Sequence, residues 1–420
     1  MYDIRPSHVF VHRRVYANPQ AVARLERMLR ALGDPPVMEV DAGDTEKVLK
    51  LAGPPAGAAP AGVPVRMGFE RRAADPALLF NTFVWDAPPP PPLNEGEYQD
   101  PATRRIRRLM AGAGEDFAYS RRDELISGGV RYVCQGGWGI HSLTGCVHKC
   151  NYCYEGYVVN IMLDLEDFAE NVYQTTLRRP HQKLYRHDMY SDAICFEPEY
   201  GSSAILSEMF ARTGDKYLLY YTKSDNVDHL LDLPHKSNAI FYLSLATETV
   251  CRVIERDTPS MARRIEALRR CQQAGYRVRV GFSPIIPLRD WRAEASECLE
   301  QLFAAVRPET VRLWVLSMMS ASNAEALIGA ERLDPRLLQS IRENRDPNPK
   351  EMFDQPFPRA ARAEVYAHYL DEIRRISPDT PVTLCSERRE LWDMLADRLS
   401  VSPDELYCCC GCTSAERHVT

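Results

Sequence analysis

The sequence predicts an α/β protein whose main body is a partial (β/α)6 barrel of parallel strands. From about residue 130, strand-like segments alternate six times with helical patterns, as expected of repeated β–α units. A loop with three closely spaced cysteines follows the first of these strands, and polar residues follow several of the others. Functional side chains of such barrels gather at the carboxyl ends of the strands, so we expect a site there.

The six barrel strands are predicted from short apolar runs rich in β-branched and aromatic residues. Asp164 is expected to cap the helix after the cysteine loop, and Thr258 with Pro259 to begin a later helix that ends at Gly275. The predicted strands span residues 132–143, 193–196, 217–222, 239–245, 277–282 and 311–316.

Outside the barrel, the chain divides into an amino-terminal unit, a linker and a carboxy-terminal extension. Residues 1–50 predict a small α/β unit, with a strand at 9–11 and a helix capped by Asn18, begun by Pro19 and stopped by Gly33. Residues 51–129 predict linker and connecting segments, because 52–64 is rich in Pro, Gly and Ala and 88–92 is all proline. The barrel is assigned to 130–330. The extension is assigned to 331–420, with an amphipathic helix near Tyr366 and a strand at 382–385.

Composition bounds the class of protein. The 420 residues are 45% hydrophobic and 26% charged, as in ordinary globular proteins. No apolar run reaches roughly 18 residues, and the amino terminus lacks the apolar segment of a signal peptide, so we expect no membrane association and a cytoplasmic location. The net charge of −6 argues against a nucleic-acid partner.

Three cysteines form the strongest chemical signal. Cys146, Cys150 and Cys153 have three and then two residues between them, and three thiolates can hold three irons of a [4Fe–4S] cluster. Tyr152, directly before the third cysteine, is expected beside the bound cofactor. The alternatives are a set of buried free thiols and a zinc site. Zinc usually takes a fourth nearby ligand, and His148 would have to turn back to the same ion. The spacing resembles the signature of the radical SAM superfamily, in which the open fourth iron chelates S-adenosylmethionine.

That cofactor needs polar partners for its methionyl group, ribose and adenine. The candidates are the polar residues at predicted strand ends. The two glutamates after the second strand are candidates for the ammonium group, and the lysine and serine after the third strand for the carboxylate. The residues concerned are Glu197, Glu199, Lys223, Ser224, Ser244 and Ser283.

Most of the chain resembles the spore photoproduct lyase family of radical SAM enzymes. The resemblance implies reductive cleavage of S-adenosylmethionine at the cluster, hydrogen abstraction by a 5′-deoxyadenosyl radical, and an electron donor such as flavodoxin or ferredoxin. Besides the cysteine loop, it is carried by Thr222-Lys223-Ser224-x-Asn226-Val227, Glu255-x-x-Thr258, Arg264-Ile265-Glu266-Ala267, Ala274-Gly275-Tyr276, Pro284-Ile285-Ile286, Leu384-Cys385-Ser386-Glu387 and Trp392.

One departure from the family concerns the hydrogen donor. The DNA-repair members carry a donating cysteine where this chain has Tyr200, which we predict to be a catalytic residue, as a radical relay. The nearest cysteine, Cys195, is expected to face elsewhere. With the negative net charge, this argues against DNA photoproduct repair, which is kept as an alternative.

A second departure is the tail. Cys408, Cys409 and Cys412 predict an auxiliary [4Fe–4S] cluster, with Cys410 as a spare or alternate ligand; a disordered, metal-scavenging tail is the alternative. The tail resembles a natural-product subgroup that includes thionucleoside antibiotic and arsinothricin enzymes. The resemblance implies a nucleoside-like small-molecule substrate and insertion of sulfur in place of oxygen. Transfer of a 3-amino-3-carboxypropyl radical to arsenic is the alternative.

Overall fold

Two β-sheets organise the chain, a smaller one built around the amino-terminal strands and a larger one that forms a half-barrel. The computed structural model describes residues 1–52, 75–85, 101–112, 138–153, 155, 158–180, 182–343 and 355–402. The strands within these residues are, in chain order, β1 (Val9–His12), β2 (Val37–Val40), β3 (Ala77–Asn81), β4 (Trp138–Ile140), β5 (Leu143–Thr144), β6 (Lys149–Cys150), β7 (Val158–Met162), β8 (Leu184–His187), β9 (Tyr217–Thr222), β10 (Ala239–Leu245), β11 (Glu255–Arg256), β12 (Arg277–Ile285), β13 (Val311–Val315) and β14 (Val382–Leu384).

Helices connect the strands of the larger sheet. A short π-helix, Glu325–Gly329, follows β13, and 3₁₀ turns occupy Arg13–Ala17 and Ala42–Asp44. The described α-helices are α1 (Pro19–Ala31), α2 (Thr45–Ala52), α3 (Pro101–Met110), α4 (Leu165–Arg178), α5 (Ser202–Ala211), α6 (Asp228–Leu231), α7 (Glu248–Val253), α8 (Met261–Gln273), α9 (Trp291–Ala305), α10 (Ala321–Ala324), α11 (Pro335–Glu343), α12 (Arg359–Ile376) and α13 (Arg389–Met394). None of the described helices is long and apolar enough to cross a bilayer.

The larger sheet confirms the predicted α/β half-barrel. Its order is β14-β13-β12-β10-β9-β8-β4, and every neighbouring pair is parallel. Strand order thus follows chain order, as crossover helices require. The sheet is curled, and β14 makes it one strand wider than the six predicted. The predictions at 9–11, 217–222, 239–245, 277–282, 311–316 and 382–385 are confirmed to within three residues.

The strand predicted at 193–196 is wrong. These residues form a buried turn, and the second position of the barrel is taken by β8, which lies earlier in the chain. The Asn226 side-chain amide donates to the carbonyl oxygens of Ile194 (2.8 Å) and Glu197 (2.7 Å), which satisfies the turn without a neighbouring strand. A short apolar run indicates burial but does not separate a strand from a packed turn.

The smaller sheet has the order β2-β1-β3-β7-β5, with only the β5–β7 pair antiparallel. Its strand β3 lies within the stretch 51–129 that was predicted as linker, because Ala77–Asn81 pairs with β1 on one side and β7 on the other. β5 and β7 flank the cysteine loop in the chain. The amino-terminal unit therefore shares a sheet with both ends of that loop. Parts of three predicted segments lie outside the described residues. These parts are 53–64, 88–92 and 132–137.

Helix boundaries agree with the predicted caps at α1 and differ at two others. The Asn18 side chain accepts hydrogen bonds from the backbone of Gln20 and Ala21, as predicted. Helix α8 begins later than predicted, with Ser260 rather than Thr258 as its cap. Asp164 precedes α4, but its carboxylate accepts from the Phe83 backbone N–H at 2.9 Å instead of capping the helix.

Asp164→Asn is expected to stabilise the protein in a pH-dependent manner. Burial raises the pKa of Asp164 to about 6, partly offset by the Phe83 hydrogen bond. A carboxyl group with a raised folded pKa binds protons more tightly in the folded state. Its cost is therefore small at pH 4, grows as the pH rises from the unfolded pKa of 3.8 to the folded pKa of about 6, and is complete above that pH. Urea unfolding at pH 4 and pH 8 should show the variant gaining roughly 2–3 kcal/mol over wild type only at pH 8. Glu170→Gln, at an exposed position of the same helix, is the control. An equal gain at both pH values would contradict the prediction.

Candidate functional site

The cysteine loop lies at the carboxyl ends of the half-barrel strands and is anchored there by backbone pairing. β6, which contains Cys150, pairs antiparallel with β11, so Cys150 lies opposite Glu255. The Cys153 backbone N–H donates to the Cys150 carbonyl at 3.0 Å, which closes a tight turn between these two cysteines. The Asn151 side chain bonds the Leu327 carbonyl in the π-helix. The loop is thus held by the barrel on two sides.

The donor chemistry of the loop fits an iron–sulfur cluster. Cys146 and Cys150 are buried and Cys153 is half-buried. Burial raises the pKa of the Cys150 thiol to about 12, and the Glu255 carboxylate adds to that rise, so Cys150 ionises readily only when a cation such as iron binds its sulfur. Within the described residues, no three Cys, His, Asp or Glu side chains are grouped to hold one metal ion. A four-iron cluster takes one thiolate on each of three irons and does not require that grouping.

Glu255 is the centre of a buried polar network beneath the loop. One carboxylate oxygen accepts from the Tyr152 hydroxyl and from Lys223 Nζ (2.8 Å), and the other lies 2.7 Å from Arg264 Nη1. Burial alone raises the pKa of this carboxyl, but Lys223 and Arg264 together lower it to about 2. Glu255 is therefore an ionised, fully buried anchor between the cysteine loop and the barrel.

Lys223 extends the network across the strand ends. Its Nζ also donates to Ser244 Oγ at 2.8 Å and to the Ser283 carbonyl at 3.3 Å, and Ser244 Oγ donates to the same carbonyl. Ser283 Oγ accepts from Arg312 Nη2 at 2.7 Å. The structure therefore brings together four of the predicted cofactor-binding residues, which are Tyr152, Lys223, Ser244 and Ser283.

The other predicted residues lie outside this network. Glu197 accepts from Gly201 N, Ser202 Oγ and Ser203 N at the start of α5. Glu199 contacts the amino group of Met1. These two glutamates do not follow a strand, because residues 193–196 form a turn instead of the predicted strand.

Ser224 and Tyr200 are likewise bonded elsewhere. Ser224 Oγ donates to the Tyr2 hydroxyl at 2.7 Å. The fully buried Tyr200 hydroxyl donates to the Met162 carbonyl at 2.7 Å, and its radical relay role stays a prediction. Cys195, expected to face away from the site, is buried and bonds the Asp192 carbonyl. The tail residues Cys408, Cys409, Cys410 and Cys412 lie outside the described residues.

Sequence reasoning missed Glu255, Arg264 and Asp192 as site residues. Glu255 and Arg264 appeared only as parts of family-like motifs, although a charged pair nine residues apart around a helix start was a usable signal. No such signal marked Asp192, because the turn directly after it, residues 193–196, was predicted as a strand. Its carboxylate is 1% exposed. Burial alone raises its pKa, but His148 and the Lys223 backbone N–H hold the pKa below the usual value.

Known proteins match this fold and this part of the chain. Residues 136–321 match the family model described as spore photoproduct lyase. This matched segment, which is similar to that family, makes up less than half of the chain. The chain is 27% identical over 172 residues to the spore photoproduct lyase of Geobacillus sp. and 26% identical over 182 residues to that of Bacillus subtilis. These matches cover 39% and 42% of this chain and 50% and 53% of the two relatives, so the chain spans about half the length of each.

Solved structures extend the likeness to the whole fold. A spore photoproduct lyase variant with bound AdoMet and dinucleoside spore photoproduct has a TM-score of 0.64 and 17% identity, over 91% of this chain and 99% of that one. Another variant has a TM-score of 0.63 and 16% identity, over 91% of this chain and all of that one. At this identity the likeness shows the fold. The chain therefore has a half-barrel fold like that of these two spore photoproduct lyase variants, with its cysteine loop on the segment that the family model matches.

Proposed function

We propose that this protein is a radical SAM enzyme that acts on a small, nucleoside-like molecule. Cys146, Cys150 and Cys153 would hold the [4Fe–4S] cluster. The observation that carries the proposal is the buried network in which Glu255 joins the cysteine loop to Lys223 at the strand ends. A spore photoproduct lyase-like fold with a cysteine loop next to a cationic, hydroxyl-lined site supports S-adenosylmethionine as the second cofactor.

When bound, the cluster and S-adenosylmethionine would supply a 5′-deoxyadenosyl radical that abstracts hydrogen from the substrate. The residues of the protein would bind the cofactor and orient it. The Lys223 ammonium would meet the cofactor carboxylate, which would replace the Ser283 carbonyl, the longest of its three contacts at 3.3 Å. Ser244 and Ser283 add hydroxyl groups next to it, and Glu255 holds the lysine in place. Burial of this network keeps water away from reactive groups.

The test is anaerobic reconstitution and iron analysis, followed by incubation with S-adenosylmethionine and dithionite as the electron donor and chromatography of the spent cofactor. We expect iron bound to the chain and 5′-deoxyadenosine as the product. 5′-Methylthioadenosine would instead indicate the alternative transfer of a 3-amino-3-carboxypropyl radical to arsenic. A wild-type chain that binds no iron under these conditions would refute the proposal.

Lys223→Met is expected to weaken S-adenosylmethionine binding by about 10- to 100-fold, because a charge-assisted hydrogen bond contributes about 1.5–3 kcal/mol. Equilibrium dialysis of the reconstituted protein measures this change. Lys216→Met is the matched control, since Lys216 precedes the same strand β9 at its other end and bonds the Pro180 carbonyl. Equal affinities in the two variants would remove Lys223 from the cofactor site.

The finer proposal is that the substrate radical captures sulfur at a second cluster on the tail. It is supported by the spacing of Cys408, Cys409 and Cys412. Wild type should bind about eight irons per chain, and the triple Cys408/Cys409/Cys412→Ala variant about four, while still cleaving S-adenosylmethionine. About four irons in both proteins would exclude the second cluster and leave the first unaffected. Salt-sensitive binding of duplex DNA would instead favour the photoproduct lyase alternative.

A further inference from the structure

One buried carboxylate connects the cysteine loop to the end of strand β9. Asp192 Oδ2 accepts from His148 Nε2 at 3.1 Å and from the Lys223 backbone N–H at 2.8 Å. Its Oδ1 accepts from Thr222 Oγ1 at 2.7 Å and from the Ile194 backbone N–H at 3.3 Å. Four donors from three segments of the chain thus converge on one side chain.

His148, between Cys146 and Cys150, is the contact on the loop side. Its ring is 3% exposed, and its Nδ1 lies 2.7 Å from the Asp257 carbonyl oxygen. A carboxylate can only accept hydrogen bonds, so His148 Nε2 donates in its contact with the Asp192 carboxylate. The bond to Asp192 is therefore charge-assisted, the stronger class of hydrogen bond. It is also buried, so water does not compete for it.

Asp192 joins the cysteine loop to the end of β9, and the proposed reaction needs these two segments at a fixed relative position. The loop supplies the cysteines, and Lys223 supplies the ammonium group for the cofactor. Glu255 joins the same two segments through side chains, whereas Asp192 bonds the Lys223 backbone and so acts on its position rather than on its charge. We propose that Asp192 is a positioning residue that holds the cysteine loop, through His148, at a set distance from Lys223. This inference rests on the proposed function only for the identity of the ligands. The coupling of the two segments does not depend on that function.

Asp188 offers a matched comparison in the same connection between β8 and α5. It is fully buried, and its carboxylate accepts from the backbone of Ser142 and Leu143 at 2.7 and 2.9 Å. Its remaining contacts are with the Ser142 hydroxyl and the His187 ring, so it holds the chain just before the cysteine loop and bonds neither His148 nor Lys223. Its φ of +52° is one that asparagine tolerates. Asp188→Asn therefore removes a buried charge close to Asp192 without loosening the proposed coupling.

The experiment compares D192N and D188N in the full chain. Hydrogen exchange of the metal-free protein should show faster exchange at 146–153 and at the Lys223 amide in D192N, and wild-type exchange at both in D188N. After reconstitution, D192N should bind S-adenosylmethionine about tenfold more weakly than wild type, and D188N within about twofold. The electron paramagnetic resonance spectrum of the reduced cluster should respond less to added cofactor in D192N.

Substitutions of His148 test the same contact from the other side. His148→Phe should reproduce the D192N pattern, whereas His148→Gln, whose amide still donates, should fall between D192N and wild type. If D192N does not fold, the double variant with His148→Phe removes the carboxylate and its hydrogen-bond donor together and is measured in its place. Exchange and affinity alike in D192N and D188N would overturn the inference. A wild-type chain that binds no iron or cofactor would refute the proposed function alone, since exchange in the metal-free protein still reports on Asp192.

Discussion

Glu255→Gln is expected to lower the free energy of unfolding by about 3–5 kcal/mol, the cost of removing one partner from a buried ion pair. Glutamine leaves the ammonium of Lys223 and the guanidinium of Arg264 without their buried counter-charge. It also weakens the hydrogen bond that holds Tyr152 next to the third cysteine. We therefore expect reduced cluster retention and weaker binding of S-adenosylmethionine as well as lower stability.

Glu309→Gln is the control for the loss of stability. Glu309 lies just before strand β13 of the larger sheet, away from the site; its carboxylate accepts from Arg279 Nε at 2.6 Å, and both side chains are buried. This variant should lose comparable stability in chemical denaturation and keep wild-type iron content and cofactor affinity. If both variants kept wild-type affinity, Glu255 would be a structural residue with no part in the site.

Gly145→Ala is expected to be the second most damaging change, with a loss of about 2–6 kcal/mol from backbone strain and steric overlap together. Gly145 directly precedes the first cysteine and has a φ of +91°, which L side chains rarely adopt. A Cβ atom there would lie 2.4 Å from the Val158 carbonyl oxygen. Val158 belongs to β7 and is held by pairing with β3, so the overlap is relieved only by moving the cysteine loop.

Gly275→Ala is the control that separates the cost of backbone strain from the cost of steric overlap. Gly275 has a similar φ of +99°, but an added Cβ would meet no atom within 4 Å. Its expected cost is about 1–2 kcal/mol, from the left-handed conformation alone. Thermal unfolding should rank the two variants in this order, and iron content should fall only in Gly145→Ala. Equal iron content in both would show that the loop tolerates displacement at its first cysteine.

Local patterns predicted the barrel because its strands and helices are long and regular. β9 and β10 were predicted with their observed limits, since each is a largely apolar run that is buried on both faces. The run at 193–196 has the same apolar character, yet it packs as a turn. Hydrophobicity indicates that these residues are buried but not which hydrogen-bond partners they find, and Asn226 lies 29 residues or more from the carbonyls it bonds.

The candidate site, like the fold, was predicted only in part from the sequence. The cysteine spacing by itself indicates the metal chemistry, because these ligands of one cluster lie close together in the chain. Lys223, Ser244 and Ser283 could be placed at one edge because parallel strands end together. Which of the strand-end residues meet is decided only by folding. Glu197 bonds the start of α5, whereas Glu255, 103 residues after Tyr152, lies beneath the loop.

Short-range order in this chain is therefore encoded in residue spacing and periodicity, which specify the cysteine loop, the strand–helix alternation and the polar strand ends. The counter-charges of the site are not encoded locally. Glu255 bonds Lys223, 32 residues before it, and Asp192 bonds His148, 44 residues before it, and the residues adjacent to Glu255 and Asp192 do not identify Lys223 and His148 as their partners. Burial of an ion pair depends on where distant segments meet, and only the folded chain establishes that.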